Sequence, residues 1–540
     1  MGSIPRIMNR RGFIGLSIGS TAIANWLLSC TTHKKIKGEI IGASSSIGHL
    51  LRDNKFSNPS QTINTKIIII GAGISGLSAG WHLHQHGITD LIILDLENHA
   101  GGNSTYGKNN ISAYPWGAHY IPIPNNDLVD YTNFLKTCNV ITGEDSNGLP
   151  AYNETYLCFD PQERLYINGR WQDGIIPQFG VPDNDKKQLA SFLKKMDEFR
   201  NLKGPDGKDA FAIPVNNSSK DPSLLDLDSL TMKSWMIKMG FTSEYLHWYV
   251  NYCCRDDFGT PHHLISAWAG IHYYASRKGK GSNAGHADVL TWPEGNGFLV
   301  EQLQKNIRSQ VKTNSLATKV KMDLDGVTVE YFDTTKNELK AIKAEQCIIA
   351  VPQFIACRLI NDEQRTTLVK ANLQYVPWMV ANILVNKLVE RSGPGLSWDN
   401  VIYESSSLGY VNATQELLQQ DSMKKNLTYY LPLTGMSPAE ERKAAQVKDH
   451  SDWAEHIISD LEKIHPNIRD AVEEINVMLW GHAMAQPLPG IIHGEIRSKL
   501  SASIDDKIHF AHTDLAGVSI FEEAFYQGLT AANKVIARLK

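Results

Sequence analysis

Four consecutive isoleucines, Ile67–Ile70, run straight into Gly71, Gly73 and Gly76, and no other stretch of the chain narrows the choice of fold as far. An unbroken apolar run marks a strand buried on both faces, as in a parallel central strand; a half-exposed strand would alternate. The glycines have the spacing G-x-G-x-x-G. The first permits a tight turn, the second lets backbone approach a pyrophosphate, and the third lets the following helix lie against the strand. That helix is predicted from about Ile74 to His86, ending at Gly87, a residue suited to the left-handed conformation of a helix end. Its first residues, Ile74 and Ser75, offer free N–H groups and the positive end of the helix dipole to a phosphate, worth roughly 0.3–1 kcal/mol and up to ~2 kcal/mol when partly buried. A second strand, Leu91–Leu94, delivers Asp95, 19 residues after Gly76. A carboxylate there accepts hydrogen bonds from ribose hydroxyls and repels a 2′-phosphate, which disfavours NADP. The stretch reads as a dinucleotide site.

Such a site needs a large soluble host. The chain's 540 residues, 42% of them hydrophobic, with a net charge of −4, describe one. That balance carries no bias toward nucleic acid. No apolar run reaches the roughly 18 residues of a membrane span, so none is predicted. Internal repeats and low-complexity tracts are absent. Apart from Cys30, the cysteines (Cys138, Cys158, Cys253, Cys254, Cys347 and Cys357) form no C-x-x-C or zinc-like spacing. Buried thiols and no metal are the expectation.

The first 30 residues have a different character. Arg10 and Arg11 stand directly before an apolar segment, Phe13–Leu28, which ends in Leu27-Leu28-Ser29-Cys30. This resembles a bacterial twin-arginine export signal joined to a lipoprotein cleavage site, with Cys30 the residue to be lipidated. The alternative is an N-terminal helix with an incidental cysteine, and Met8 is an alternative start. The resemblance implies an exported protein on the periplasmic side, lipid-anchored to a bacterial membrane through Cys30. It further implies export of a folded protein with its cofactor already held. Residues 31–64, polar and rich in Ser, Lys and Gly, would then be a linker.

Beyond Asp95 come Gly101-Gly102-Asn103-Ser104 and AYPWGAHYIPIP, Ala113–Pro124. Further on stand TWPEGNGFLVEQLQKNI, Thr291–Ile307, and the strand-like ATKVKMD, GVTVEYFD and CIIAVP. The C-terminal stretch, Lys507–Leu539, reads as strand, loop and amphipathic helix. In this order the elements resemble the flavin-containing amine oxidase and phytoene desaturase superfamily: G-x-G-x-x-G, an acid ending the second strand, G-G-x-S/T, W-G-A-H in place of D-x-G-G, a P-x-G-G-like loop, and a counterpart of F-A-G-T-E…Y-M-E-G-A. The resemblance covers about Thr65–Tyr120, Thr291–Pro352 and Lys507–Leu539.

That resemblance implies an α/β fold: a Rossmann-type FAD-binding domain (65–124, 287–365 and 501–540) interleaved with an α+β substrate domain (125–286 and 366–500), after an export signal (1–30) and a linker (31–64). By it, Gly71, Gly73, Ile74, Ser75, Gly76, Asp95, Gly102, Asn103 and Ser104 bind FAD. Gly117, Ala118 and His119 stand beside the flavin ring, Val320 near the adenine, Asp514 at the ribitol or pyrophosphate, and Ile520 and Phe521 at the pyrimidine edge. Asn103 replaces the usual arginine, and His512 the usual glycine. Ile520 falls where amine oxidases place one wall of an aromatic cage. Ala381 or Asn382 is the approximate match to a lysine that holds a water against flavin N5.

Within the substrate domain, Glu244–Asp257 and Pro261–Arg277 carry aromatic faces at helical spacing. Trp248, Tyr252, Trp268, Tyr273 and Tyr274, like His262, His263 and His272, read more readily as core than as site. Leu408–Thr414 and Leu479–Gly490 are candidate cavity linings. His119, Tyr120, Trp292 and His482 are the candidates for positioning a substrate or tuning the flavin.

The function implied is an FAD-dependent oxidoreductase, amine-oxidase-like, moving hydride from a small organic substrate to flavin N5. The alternatives are a flavin-dependent desaturase or isomerase of an apolar substrate, which the missing cage favours and a charged cavity would count against, and a flavin-bearing lipoprotein acting as electron relay or assembly partner. A nicotinamide-linked dehydrogenase is disfavoured, because a freely exchanging cofactor leaves the C-terminal motif unexplained.

Overall fold

The isoleucine run lies at the centre of a seven-stranded sheet in a computed structural model that describes residues 35–53, 56, 58–417 and 423–539. Ile67, Ile68 and Ile69 are wholly buried, and their strand, Thr62–Ile70, is flanked in parallel by Leu91–Leu94 and Glu338–Ile349. Val311–Lys312 pairs in parallel outside Leu91–Leu94, and Ile508–Phe510 pairs with Glu338–Ile349. The antiparallel strands Ser315–Asp323 and Gly326–Asp333 complete the sheet. The predicted helix spans Ile74–Gln85, and Gly87 has φ +76° just beyond it. The C-terminal helix, Phe521–Leu539, packs on it. A Cβ at Gly528 would lie 2.2 Å from Ser78 Oγ and 2.3 Å from the Ser75 carbonyl, so only glycine lets the two helices meet there.

A second, eight-stranded sheet has the order Ile40–Gly42, Val472–Ala485, Tyr375–Val385, Lys425–Pro432, Tyr410–Asn412, Asp399–Ile402, Glu163–Ile167, Arg170–Asp173. Every residue of Tyr375–Val385 is buried, as a central strand requires. The helices Glu244–Phe258 and Ala267–Ala275 contribute Leu246, Val250, Phe258, Trp268 and Ile271 to the apolar core shared with this sheet. The architecture is α/β, with a Rossmann-type nucleotide-binding part interleaved with an α+β part.

One expectation changes here. Ile40–Gly42, within the predicted linker, pairs in parallel with Val477–Leu479. Ser44 donates from both its N (2.9 Å) and its Oγ (2.8 Å) to Glu97. From Ile40 onward the linker is therefore built into the fold, because its apolar pair completes a sheet edge. Arg10, Arg11 and Cys30 lie outside the described residues. Among the described residues no helix is long and apolar enough to cross a membrane.

Candidate active site

The glycine turn opens onto a groove between the first helix, the loop at Gly101–Ser104 and the start of the C-terminal helix. Gly71 has φ +102°, and a Cβ on it would meet the Ala350 carbonyl at 2.5 Å. A Cβ at Gly76 would lie 1.8 Å from the Gly71 carbonyl, whereas one at Gly73 would meet nothing within 4 Å. Gly76 thus seats the helix on the turn without lining the groove. Gly73 faces the open space where a phosphate would rest. Ile74, Ser75, Asp95, Gly102, Asn103 and Ser104 also line this groove. Asp95 accepts hydrogen bonds from Ala72 N (2.6 Å) and Glu97 N (2.9 Å), and burial raises its pKa to about 6. Among the described residues no lysine or arginine lines the groove, and Asn103 Nδ2 donates to the Ala483 carbonyl at 2.6 Å. The helix N-terminus is therefore the principal positive pole available to a pyrophosphate.

From the other side come His512, Thr513 and Asp514. The Asp514 Oδ2 accepts from Tyr375 OH (2.6 Å) and Gln353 N (2.7 Å), and Oδ1 lies 2.8 Å from His512 Nδ1. Burial opposes ionisation, yet His512 and these donors hold the carboxyl below its ordinary pKa. His482 also borders this groove, its ring stacked on Phe354 at 4.4 Å. It does not line the chamber beyond, the position predicted for it; Ala483 and Met484 line that chamber instead.

The groove runs into a first chamber through shared walls at Asn103, Ala118, Ala483, Ser519, Ile520 and Phe521. Gly117, Ala118 and His119 form its rim, held because Ala118 N donates to the Asn103 carbonyl (2.9 Å) and Asn296 N to the Ala118 carbonyl (3.0 Å). Two buried polar atoms at this junction, Ser519 Oγ and Asn296 Oδ1, have no protein partner, so they suit a bound polar ring. Trp378 and Val380 project into the chamber. The predicted lysine counterparts, Ala381 and Asn382, are buried in the strand instead. The carboxylates of Asp256, Asp257 and Glu522 line this chamber with a single cationic group, Arg277. Arg277 Nη2 is bonded to Asp257 Oδ1 at 2.5 Å. Asp256 and Glu522 are each raised to about 7, by burial first.

His119, Tyr120, Asp256, Arg277 and Tyr430 are common to this chamber and a second one. His119 stacks on Tyr430 with ring centroids 4.7 Å apart and lies 5.5 Å from Trp398. Burial lowers its pKa to about 4, leaving a neutral imidazole. Tyr430 OH donates to the Gly117 carbonyl at 3.0 Å. Tyr252, Tyr273 and Tyr274 line the second chamber, while Trp268 and His272 are buried in the core and Trp248 packs on Tyr403.

Two predicted positions fall elsewhere. Trp292 stacks on Phe298 (4.9 Å, 8°) and lines neither chamber nor groove. Its ring also meets that of Tyr156, 5.7 Å away, so aromatic packing turns it from the cavities. Val320 points into the apolar core with Ile68, Leu94 and Ala356, not into the groove, because strand alternation turns it inward. The sequence reading missed Glu163, Asp256, Asp399 and Glu522. The adjacent acids of Arg255-Asp256-Asp257, closing an aromatic helix, were the one available signal.

The model of the flavin containing amine oxidoreductase family matches residues 74–536. Polyamine oxidase 7 of Oryza sativa subsp. japonica is 34% identical over 101 residues, 17% of this chain and 21% of that protein. The chain thus spans far less than two thirds of that relative's length. The solved putrescine oxidase bound to putrescine superposes with a TM-score of 0.64 at 16% identity, over 88% of this chain and 100% of that one. A fatty acid isomerase from P. acnes that produces CLA superposes with a TM-score of 0.60 at 15% identity, over 87% and 98%.

Proposed function

The chain belongs to the flavin-containing amine oxidoreductase family and is an FAD-dependent oxidoreductase, and from that premise we propose that it oxidises the C–N bond of a cationic amine to an imine. The observation that carries this reading is the first chamber's charge. Among the described residues, three carboxylates, Asp256, Asp257 and Glu522, line the chamber against the one guanidinium of Arg277, which is bonded to Asp257, so positive charge is in deficit there. Buried carboxylates are costly unless a cation joins them, and an ammonium substrate is such a cation. An apolar polyene would leave that deficit uncompensated, which disfavours the desaturase or isomerase reading.

The open cradle at Gly73 and the unpartnered Ser519 Oγ and Asn296 Oδ1 fit FAD. Gly71–Ser75 would hold its pyrophosphate, Asp95 its ribose and the Phe521 helix start its pyrimidine edge. When bound, FAD would supply a two-electron acceptor for hydride from the carbon next to nitrogen. The chain's own residues do the rest. Asp256, raised to about 7, takes the proton of the arriving ammonium at a carboxylate oxygen, so that the neutral amine reacts. His119, Tyr120 and Tyr430 confine the alkyl part and exclude water.

The test is anaerobic: amines and polyenes are added to the yellow holoenzyme and bleaching of the flavin bands is followed. Amines should bleach it and polyenes should not. Bleaching by polyenes alone overturns the reading, and no bleaching by either favours an electron relay. We further propose that the protein is exported and lipid-anchored at Cys30. Cys30→Ser should then move it from the membrane to the soluble fraction, and an unchanged distribution sinks the anchor.

A further inference from the structure

The second chamber contains more carboxyl groups than the proton transfer above uses. Asp399 and Glu163 are register partners across two parallel strands, so their side chains emerge side by side on one face, with backbones about 4.8 Å apart. Like charges so placed destabilise a sheet. Both line the second chamber, with Asp256 approaching from the Glu244–Phe258 helix.

Little in the protein balances them. The Asp399 Oδ2 has Tyr252 OH at 3.4 Å, and no side-chain donor reaches the Glu163 carboxylate among the described residues. Two arginines border the chamber. Arg277 is held by Asp257, and Arg200 donates to the Tyr274 carbonyl (3.1 and 2.9 Å) and pairs with Asp197. Burial keeps His119 and His286 below their ordinary pKa, hence neutral. The remaining acid, Asp288, accepts from Gly285 N at 2.7 Å. Among the described residues no lysine lines the space.

The rest of the wall is aromatic and aliphatic, with Ile175, Leu193, Val289, Leu408 and Val411 beside the rings. Tyr120, Tyr249, Tyr252, Tyr273 and Trp398 present rings to it. Such faces accept both methylene chains and cations. The way in from the first chamber passes His119, Tyr120 and Tyr430, which border both spaces. A ligand matched to this shape has one charge in the first chamber, an apolar connector at the aromatic neck, and a second charge beyond it.

We propose that the second chamber is the subsite for the far ammonium of a linear diamine or polyamine, held between Glu163 and Asp399, which makes these two carboxylates the specificity-determining pair. The proposal rests on the amine reading above and deepens it. The spacing between the two nitrogens, set by the distance from Asp256 to the Glu163–Asp399 pair, then selects among substrates.

The experiment compares 1-aminopentane with 1,5-diaminopentane, and the 1,4 and 1,6 homologues, on the holoenzyme by flavin reduction. The wild type should favour one diamine over its equal-length monoamine by roughly 10- to 100-fold in kcat/KM, the scale of a charge-assisted hydrogen bond. Glu163→Gln and Asp399→Asn should each collapse that ratio toward unity, and yellow colour with an unchanged melting temperature would show that the variants are folded. Equal rates for monoamine and diamine in the wild type overturn the subsite while leaving the amine reading intact. Failure of every amine to bleach the flavin overturns the reading beneath it. Should neither variant fold, wild-type inhibition decides. A bis(trimethylammonium)alkane that competes no better than its singly charged analogue refutes the proposal, and one that competes at least tenfold better supports it.

Discussion

At the scale of single residues, the three glycines of the turn have separable duties, and substitution should separate them. Gly76→Ala places a methyl group 1.8 Å from the Gly71 carbonyl. The backbone must move, so a loss of about 1–3 kcal/mol in folding stability is expected, with the flavin lost as a consequence. At Gly73 a Cβ meets no protein atom within 4 Å, so flavin-free Gly73→Val protein should melt as the wild type does while failing to hold the yellow cofactor. Calorimetry and a visible spectrum on both variants check this, and a yellow Gly73→Val protein would place the phosphates elsewhere. The glycine turn and the residues that line its groove could be read in the sequence because glycine spacing and a strand-ending acid express backbone demands local to a few positions. The substrate side gave no such signal. Glu163, Asp256 and Asp399 each look like a solvated acid, and only the pairing of strands more than 200 positions apart sets them together. Trp292 and Val320 show the converse error. Both sit in stretches whose pattern was recognised, but which way each side chain turns depends on packing that no local pattern records.

Among the elements, the contact between Ile74–Gln85 and Phe521–Leu539 decides whether the groove exists. It closes on Gly528 and on Ser78, whose Oγ donates to the Phe525 carbonyl at 3.2 Å. Gly528→Leu should force the helices apart. Expected are a lower melting temperature, by the few degrees that about 1–3 kcal/mol produces in a large protein, and faster loss of flavin on dialysis; Thr530→Ala, on the exposed face of the same helix, should do neither. A Gly528→Leu protein that keeps both properties would mean that this crossing does not shape the site. The nucleotide sheet was largely visible in the sequence because its parallel strands are continuous apolar runs. The eight-stranded sheet was not. It draws strands from residues 40 to 485, and several are only three or four residues long, too short for any period to register. Ile40–Gly42 is the sharpest case, since a three-residue strand inside a polar stretch reads as linker until Val477–Leu479 is beside it.

Over the whole molecule, stability should depend on pH in an unusual direction. Asp256, Glu522 and Glu523 are each raised to about 7 by burial, so between pH ~4 and ~7 the folded protein retains protons that the unfolded chain has released. Where the unfolded chain binds fewer protons, stability falls as pH rises. Asp514 and Asp460, held below their ordinary values, act oppositely: their contribution is present above the usual carboxylate range and disappears on acidification. Substrate-free protein should therefore melt highest near pH 5 and lose on the order of a few kcal/mol by pH 8. A non-oxidisable dication should restore much of that loss at pH 8. Melting that climbs steadily to pH 8 without ligand would show that these acids find compensation the structure does not contain. The interleaving of the two sheets also bears on biosynthesis. The glycine turn emerges from the ribosome early, but the strand Ile508–Phe510 and the helix Phe521–Leu539 that closes on it emerge far later, so until then a nascent polypeptide has only half a cradle. Flavin capture then waits on the synthesis of that helix, and a chain terminated before Phe521 should be colourless however much of the remainder has been made.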